Sequence, residues 1–207
     1  MKVLLVNGSP HEKGCTYTAL REVADTLETE GVMTEIIWIG SKPVQDCVDC
    51  GGCKNPKACV FDDDGVNAFV EKAKAADGFV FGTPVYFSHP SGSLLSFMDR
   101  ALYGCRDLFA HKPAAAVASA RRAGNVASVD VLNKYFTLAQ MPVVSSSYWN
   151  VVFGNTPEEV RQDLEGLQIM RNLGRNMAWL MKCIEAGRAQ GILAPERERA
   201  FVTNFIR

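Results

Sequence analysis

The chain has 207 residues, 22 basic against 23 acidic side chains and a formal net charge of −1. A domain of this length buries roughly 70% of the surface its unfolded chain exposes, so neither metal nor disulfide is required merely to fold. Near-neutral charge excludes a strongly basic nucleic-acid binder or a polybasic membrane-surface protein, and 47% hydrophobic with 22% charged residues excludes disorder.

Residues 3–6 read as a buried strand ending at Asn7-Gly8. This apolar start is too short for a signal-peptide core, no later run approaches a membrane span, and a cytoplasmic location is expected. Residues 16–30 place Leu20, Val23, Ala24 and Leu27 at helix spacing, and 35–39 reads as a second strand. Val66, Phe69, Val70 and Ala73 repeat the helix spacing before a third strand over 78–82. A helix is expected from about Ser91, with Leu94, Leu95, Met98, Ala101 and Leu102 along one side. Residues 114–119 form the fourth expected strand, Val129, Leu132 and Phe136 mark the next helix, and 142–148 is the fifth expected strand. Thr156-Pro157-Glu158-Glu159 reads as a capping box that opens one long helix running toward Ala189. The tail beyond it, with Phe201 and Phe205, is expected to dock on the body or on a neighbouring subunit.

Strand–helix alternation at this rhythm predicts an α/β fold, a doubly wound five-stranded parallel sheet in the order 2-1-3-4-5. Ligands of such sheets bind beyond the carboxyl ends of the strands, at the switch point between the first and third. The loops to inspect are therefore 7–18, 83–92 and 119–125. The first reads NGSPHEKGCTYT, with the Ser9, Thr16 and Thr18 hydroxyls and a helix N-terminus suited to a phosphate. Gly8 and Gly14 are too far apart for a nucleotide-hydrolase loop, and no GxGxxG is present, so a terminal monophosphate is the expected anion. Tyr86 and Phe87 after the third strand are placed either to meet a planar ring or to fill a core or interface, and Arg121 and Arg122 follow the fourth strand.

Seven cysteines, an odd count, fit a disulfide framework poorly. Four of them, Cys47, Cys50, Cys53 and Cys59, lie within 13 residues. Three thiols at successive intervals of three, with the fourth six residues later, match the pattern in which C-x2-C-x2-C supplies three ligands of one [4Fe–4S] cluster, with Gly51 and Gly52 allowing close wrapping and Asn55-Pro56 turning the chain back. Zinc on four thiolates and free or disulfide-forming thiols remain the rival readings.

GSPxxxGxT after the first strand, TPVYF followed by SGxLxxFxDR, and SARRAGN together resemble the NADPH-dependent FMN reductase family of flavodoxin-like proteins. The four cysteines followed by Asp62-Asp63-Asp64 resemble its iron-sulfur flavoprotein branch. The resemblance implies a flavodoxin-like FMN-binding domain over 1–190 with the cysteine loop 47–64 inserted after the second strand, and a tail, 191–207, available for oligomer contacts. It implies FMN phosphate on Ser9, His11, Cys15, Thr16 and Thr18. It implies the flavin ring against Pro84, Val85, Tyr86 and Phe87, and against Ala120, Arg121 and Gly124. His11 and Cys15 depart from the arginine and asparagine that relatives often carry. The implied activity is an FMN-dependent oxidoreductase taking electrons from NAD(P)H or a reduced protein donor such as ferredoxin and passing them to a small acceptor. No catalytic acid or base is expected, because the chemistry is the flavin's. An electron-transfer module without direct NAD(P)H use is the alternative, and a zinc-bound non-redox domain a third. A homodimer or homotetramer is implied, with no nucleic-acid or membrane partner.

Overall fold

The computed structural model describes residues 1–54, 58–201 and 203; the turn expected at Asn55-Pro56 and Phe205 of the tail lie outside them. The first half runs β1 (Lys2–Asn7), α1 (Cys15–Thr29), β2 (Met33–Trp38), α2 (Val66–Lys74) and β3 (Gly78–Tyr86). A two-residue strand, β4 (His89–Pro90), folds back on β3 before α3 (Gly92–Phe109). The second half runs β5 (Ala114–Ala120), α4 (Asn125–Leu138), β6 (Val151–Phe153), α5 (Pro157–Gln162) and α6 (Leu164–Ala189). Among the described residues the parallel strands are ordered β2-β1-β3-β5-β6, which is the doubly wound order expected, with β4 as an antiparallel addition.

Both faces of the sheet are covered, so its central strands are apolar throughout rather than alternating. Leu4, Val6, Phe79 and Phe81 point to the side packed by α2, α3 and α4, whereas Val3, Leu5 and Val80 point to the side packed by α1 and α6. On the first side β5 presents only alanine (Ala114, Ala116 and Ala118), and a group of phenylalanines is packed there. Phe69 lies at its centre, with ring centroids 5.2 Å from Phe97, 6.1 Å from Phe79 and Phe81 and 6.2 Å from Phe109.

Two sequence expectations are corrected. The fifth strand does not occupy 142–148. Val143 makes a single bridge to Ala114, and pairing resumes at Val151 opposite Ala118. Eight residues therefore span what four cover on β5, and the surplus bulges outward at 145–149. Side chains of α6 hold the bulge: Asn176 donates to the Ser145 carbonyl and Asn172 to the Ser147 hydroxyl, each at 2.8 Å. Serine hydroxyls and α6 amides thus stand in for ladder bonds that the apolar pattern had promised.

The last helix is also not continuous. Thr156 caps only the six-residue α5, its hydroxyl accepting from the Glu159 N–H at 3.3 Å. Asp163 then leaves helical geometry, with ψ at 76°, and caps α6 by accepting from the Gly166 N–H at 2.9 Å. Its second carboxylate oxygen accepts the Phe153 N–H at 2.7 Å, so one side chain closes the end of β6 and starts α6. The tail is exposed over 191–201 and meets the body where Arg197 and Arg199 reach Asp107.

Replacing Phe69 by alanine removes the centre of the aromatic group and is expected to lower unfolding stability by about 3–5 kcal/mol. Urea denaturation followed by far-UV circular dichroism measures it; a loss below about 1 kcal/mol would show that the cavity collapses and the ring is not central.

Candidate functional site

The loop between β1 and α1 is braced from within. Asn7 accepts the Ser9 N–H at 3.1 Å and donates to the Glu12 carbonyl at 2.9 Å, so one amide fixes both arms of the turn. Ser9 is 4% exposed; its hydroxyl accepts the His11 N–H at 3.1 Å, and its carbonyl accepts the Trp38 indole N–H at 2.8 Å. Gly8 lies so close to α3 that a Cβ there would sit 2.8 Å from the Leu94 Cβ.

Helix α1 opens at Gly14 with no side-chain cap and no acidic residue in its first turn. Its leading N–H groups therefore face the loop with no cap from the helix's own side chains, an arrangement that receives anions, although Glu158 and Glu159 of α5 lie near enough to act on Cys15. The Thr16 hydroxyl bonds Ser119 at the end of β5 at 2.8 Å, and the Thr18 hydroxyl donates back to the Gly14 carbonyl at 3.1 Å. Burial pushes the Cys15 thiol up and Glu159 and Glu158 push it further, against the pull of its own backbone N–H; it stays neutral and adds no repulsion toward an anion.

Beside this loop stands the β3–β4 hairpin, which the sequence reading did not contain. Its turn residues, Phe87 and Ser88, have φ of 50° and 59°, left-handed geometry usually left to glycine or asparagine in such turns. Phe87 is fully exposed and Tyr86 about half exposed (47%), so an aromatic tip is presented to solvent at a strained turn. Gly124, with φ of 91°, lets the hairpin lie against the start of α4: a Cβ there would be 2.7 Å from the Ser88 Cα. Thr83 secures the base, its hydroxyl accepting the Ser91 N–H at 2.9 Å.

The structure thus brings Ser9, His11, Cys15, Thr16 and Thr18, the Pro84–Phe87 segment, and Ala120, Arg121 and Gly124 to one edge of the sheet. Thr16–Ser119 and the Gly8–Gly82 backbone bond, 2.9 Å, tie the three loops together.

The long segment between β2 and α2 holds the cysteines. All four line one narrow cleft, together with Val48, Asp49, Val60, Phe61, Arg100 and Tyr103. Cys47 and Cys50 are exposed, Cys53 and Cys59 partly buried, and none is in a disulfide. Among the described residues no group of three or more Cys, His, Asp or Glu is gathered closely enough to hold a single metal ion. A short 3-10 turn, Gly52–Lys54, lays Cys53 against Gly104 of α3, where a Cβ would be 2.7 Å from the Cys53 Cβ. Asn67, on the first turn of α2, grips Cys59 on both sides of its backbone: Oδ1 accepts its N–H at 2.8 Å and Nδ2 donates to its carbonyl at 2.9 Å.

Arg100 fastens the loop to α3. Its side chain is 1% exposed, and it donates to Asp64, to the Gln45 carbonyl at 3.0 Å, to the Phe61 carbonyl at 2.7 Å and, through Nε–H, to the Cys59 sulfur at 3.1 Å. Burial alone would favour its neutral form; the bonds to Asp64 and Cys59 more than offset this and raise its pKa, so the charge is kept. The sequence reading passed over Asn67 and took Arg100 only as the last residue of the SGxLxxFxDR motif, with no role. The signal for Arg100 was present: it falls on α3 between Met98 and Ala101, on the buried side. A basic residue at such a place demands a partner, and Asp62-Asp63-Asp64 was the available acid run.

This geometry agrees with the sequence comparisons. The family model of NADPH-dependent FMN reductases matches residues 1–156. The chain belongs to that family. An iron-sulfur flavoprotein of Methanocaldococcus jannaschii is 32% identical over 193 residues, covering 89% of this chain and all of the relative. Among solved structures, RosB with bound 8-demethyl-8-formylriboflavin-5'-phosphate is 15% identical with a TM-score of 0.68, covering 100% of this chain and 92% of that one. A flavodoxin from the domain Archaea is 16% identical with a TM-score of 0.60, covering 88% of this chain and 99% of that one. The fold is therefore flavodoxin-like, and the family is one of FMN-binding oxidoreductases whose relatives include iron-sulfur flavoproteins. Among the described residues no helix is long and apolar enough to cross a membrane.

Asn67→Ala removes both bonds to the Cys59 backbone and is expected to cost roughly 1–3 kcal/mol. Hydrogen exchange should quicken at the Cys59 amide while β1 and β3 keep their protection; unchanged exchange at Cys59 would contradict the assigned clamp.

Proposed function

We propose that this protein is an FMN-dependent oxidoreductase with two redox centres, FMN at the sheet edge and a [4Fe–4S] cluster on Cys47, Cys50, Cys53 and Cys59. It takes electrons from NAD(P)H or a reduced protein donor and passes them to a small acceptor. The observation that carries the FMN assignment is the uncapped N-terminus of α1 above a buried Ser9, beside an open aromatic hairpin. The donor set supports the cluster: four thiols line the cleft, with Asp49 as its one carboxylate and no imidazole among the described residues, and Cys59 receives an N–H from a buried cation. A neutral thiol is a weak acceptor, whereas a metal-bound thiolate takes such a bond well.

In this reading Ser9, His11, Cys15, Thr16 and Thr18 would hold the phosphate, chiefly by backbone N–H groups, since the Thr16 and Thr18 hydroxyls are engaged by Ser119 and the Gly14 carbonyl. Pro84, Val85, Tyr86 and Phe87 would lie against the ring, and Ala120, Arg121 and Gly124 would meet it from the neighbouring strand end. Bound FMN supplies hydride acceptance and one-electron transfer. The chain positions the ring, limits water on its buried side and provides the Arg121 charge at its rim, and no side-chain acid or base is required.

A protein donor is the second reading, and the exposure of Cys47 and Cys50 at the cleft mouth favours it, because a one-electron partner could approach there. Zinc is the less fitting occupant, since zinc ribbons pair two C-x2-C knuckles a dozen or more residues apart whereas this run is compact. Anaerobic reduction by NADPH alone, against reduction only when reduced ferredoxin is added, separates the two donors.

Anaerobic purification is expected to give a flavin spectrum with about four iron and four sulfide per chain; stoichiometric zinc without iron would overturn the cluster. Ser9→Glu should be isolated without FMN, because a carboxylate would meet the phosphate, and retained flavin would reject the loop assignment. Cys50→Ala should lose iron yet keep flavin.

A further inference from the structure

A buried guanidinium has five N–H groups to satisfy. Arg100 satisfies all of them: two on the carboxylate of Asp64, two on the carbonyls of Gln45 and Phe61, and one, Nε–H, on the Cys59 sulfur at 3.1 Å. The first four are sufficient to hold the loop. The fifth points at a ligand atom of the cluster proposed above, and its charge is partly balanced by Asp64, which is itself only 10% exposed. Hydrogen bonds to ligand sulfur, net charge and solvent exposure are what set the potential of such clusters.

We propose that Arg100 is a positioning residue that sets the cluster's reduction potential, and that Asp64 tempers it. This rests on the cluster reading. On reduction a single electron enters from an external one-electron reductant; no bond is made or broken and no proton moves. The thiolate-bound group becomes one unit more negative. An N–H donor and a cation at Cys59 favour that added charge, whereas the Asp64 carboxylate beside them opposes it. The two residues therefore act on the potential with opposite signs, which a purely mechanical clamp could not produce.

The test uses full-length protein purified anaerobically, with iron, sulfide and flavin measured on every sample. The cluster midpoint is read by electron paramagnetic resonance during dithionite titration with mediators. Arg100→Gln removes the charge and should move the midpoint lower. Asp64→Asn keeps an acceptor oxygen, removes the opposing charge and should move it higher. Arg100→Lys keeps the charge but loses the planar Nε donor, and should fall between Arg100→Gln and the unaltered protein. If Arg100→Gln does not assemble, Arg100→Lys below and Asp64→Asn above the unaltered midpoint still support the proposal. Midpoints unchanged at full iron content, both residues shifting it the same way, or iron lost alike from all three variants would overturn it. An unaltered protein that takes up no iron after reconstitution would instead refute the cluster itself.

Discussion

Strand polarity is the constraint from which the rest of this molecule follows. A sheet buried on both faces has room for helices but not for hairpins across its faces, so its strands run parallel and each leaves at the same edge. The loops after β1, β2, β3, β5 and β6 are thereby collected on one side without any of them choosing to be there. A helix that starts at that edge also aims its N-terminal N–H groups toward it, and α1 does so with nothing of its own to cap them. The polar floor of the site is a product of backbone direction first and of Ser9 or Thr16 second.

Helix α3 joins the two halves of that edge. Its Ser91 cap is bonded to Thr83 at the base of the aromatic hairpin, while Arg100 and Gly104 contact the cysteine loop. Nine residues of helix place the arginine roughly 14 Å along from the cap. Among its described residues the cysteine loop has almost no backbone ladder, so their placement depends on residues that reach in from regular elements: Arg100 and Gly104 from α3 and Asn67 from α2. A buried ion pair such as Arg100–Asp64 adds little net stability, but it admits few alternative arrangements, since every other packing leaves donors unmet.

Much of this was legible beforehand, and the misses share a cause. Strands 1, 3 and 4 of the sequence reading are short apolar runs between turn residues, and burial on both faces leaves no other use for them. The edge strand was harder. Pro142, Val143 and Val144 look like a strand, yet only Val143 pairs, because the amides of Asn172 and Asn176, about thirty residues downstream, draw the serines outward. Asp163 likewise reads as one more polar helical position until Phe153 appears beside it. The β4 hairpin escaped notice since Phe87 and Ser88 are not the residues that left-handed turns ordinarily use. For the site, loop composition and position singled out residues 7–18 at the uncapped start of α1, whereas the partners of Arg100 and Asn67 lie 41 and 8 residues away, where local spacing does not name them.

The clamp at Arg100 is asymmetric in what it permits. Were the segment carrying Gln45, Phe61 and Asp64 lost, the guanidinium would be uncovered and would hydrate, and the flavodoxin-like body would keep its core intact. Were the arginine lost instead, the Asp64 carboxylate, only 10% exposed, and the Gln45 and Phe61 carbonyls would lose their donor. A lineage can therefore shed the cysteine loop and keep the arginine at less cost than the reverse. In such a lineage an exposed arginine at this point of α3 would be the scar of a vanished loop.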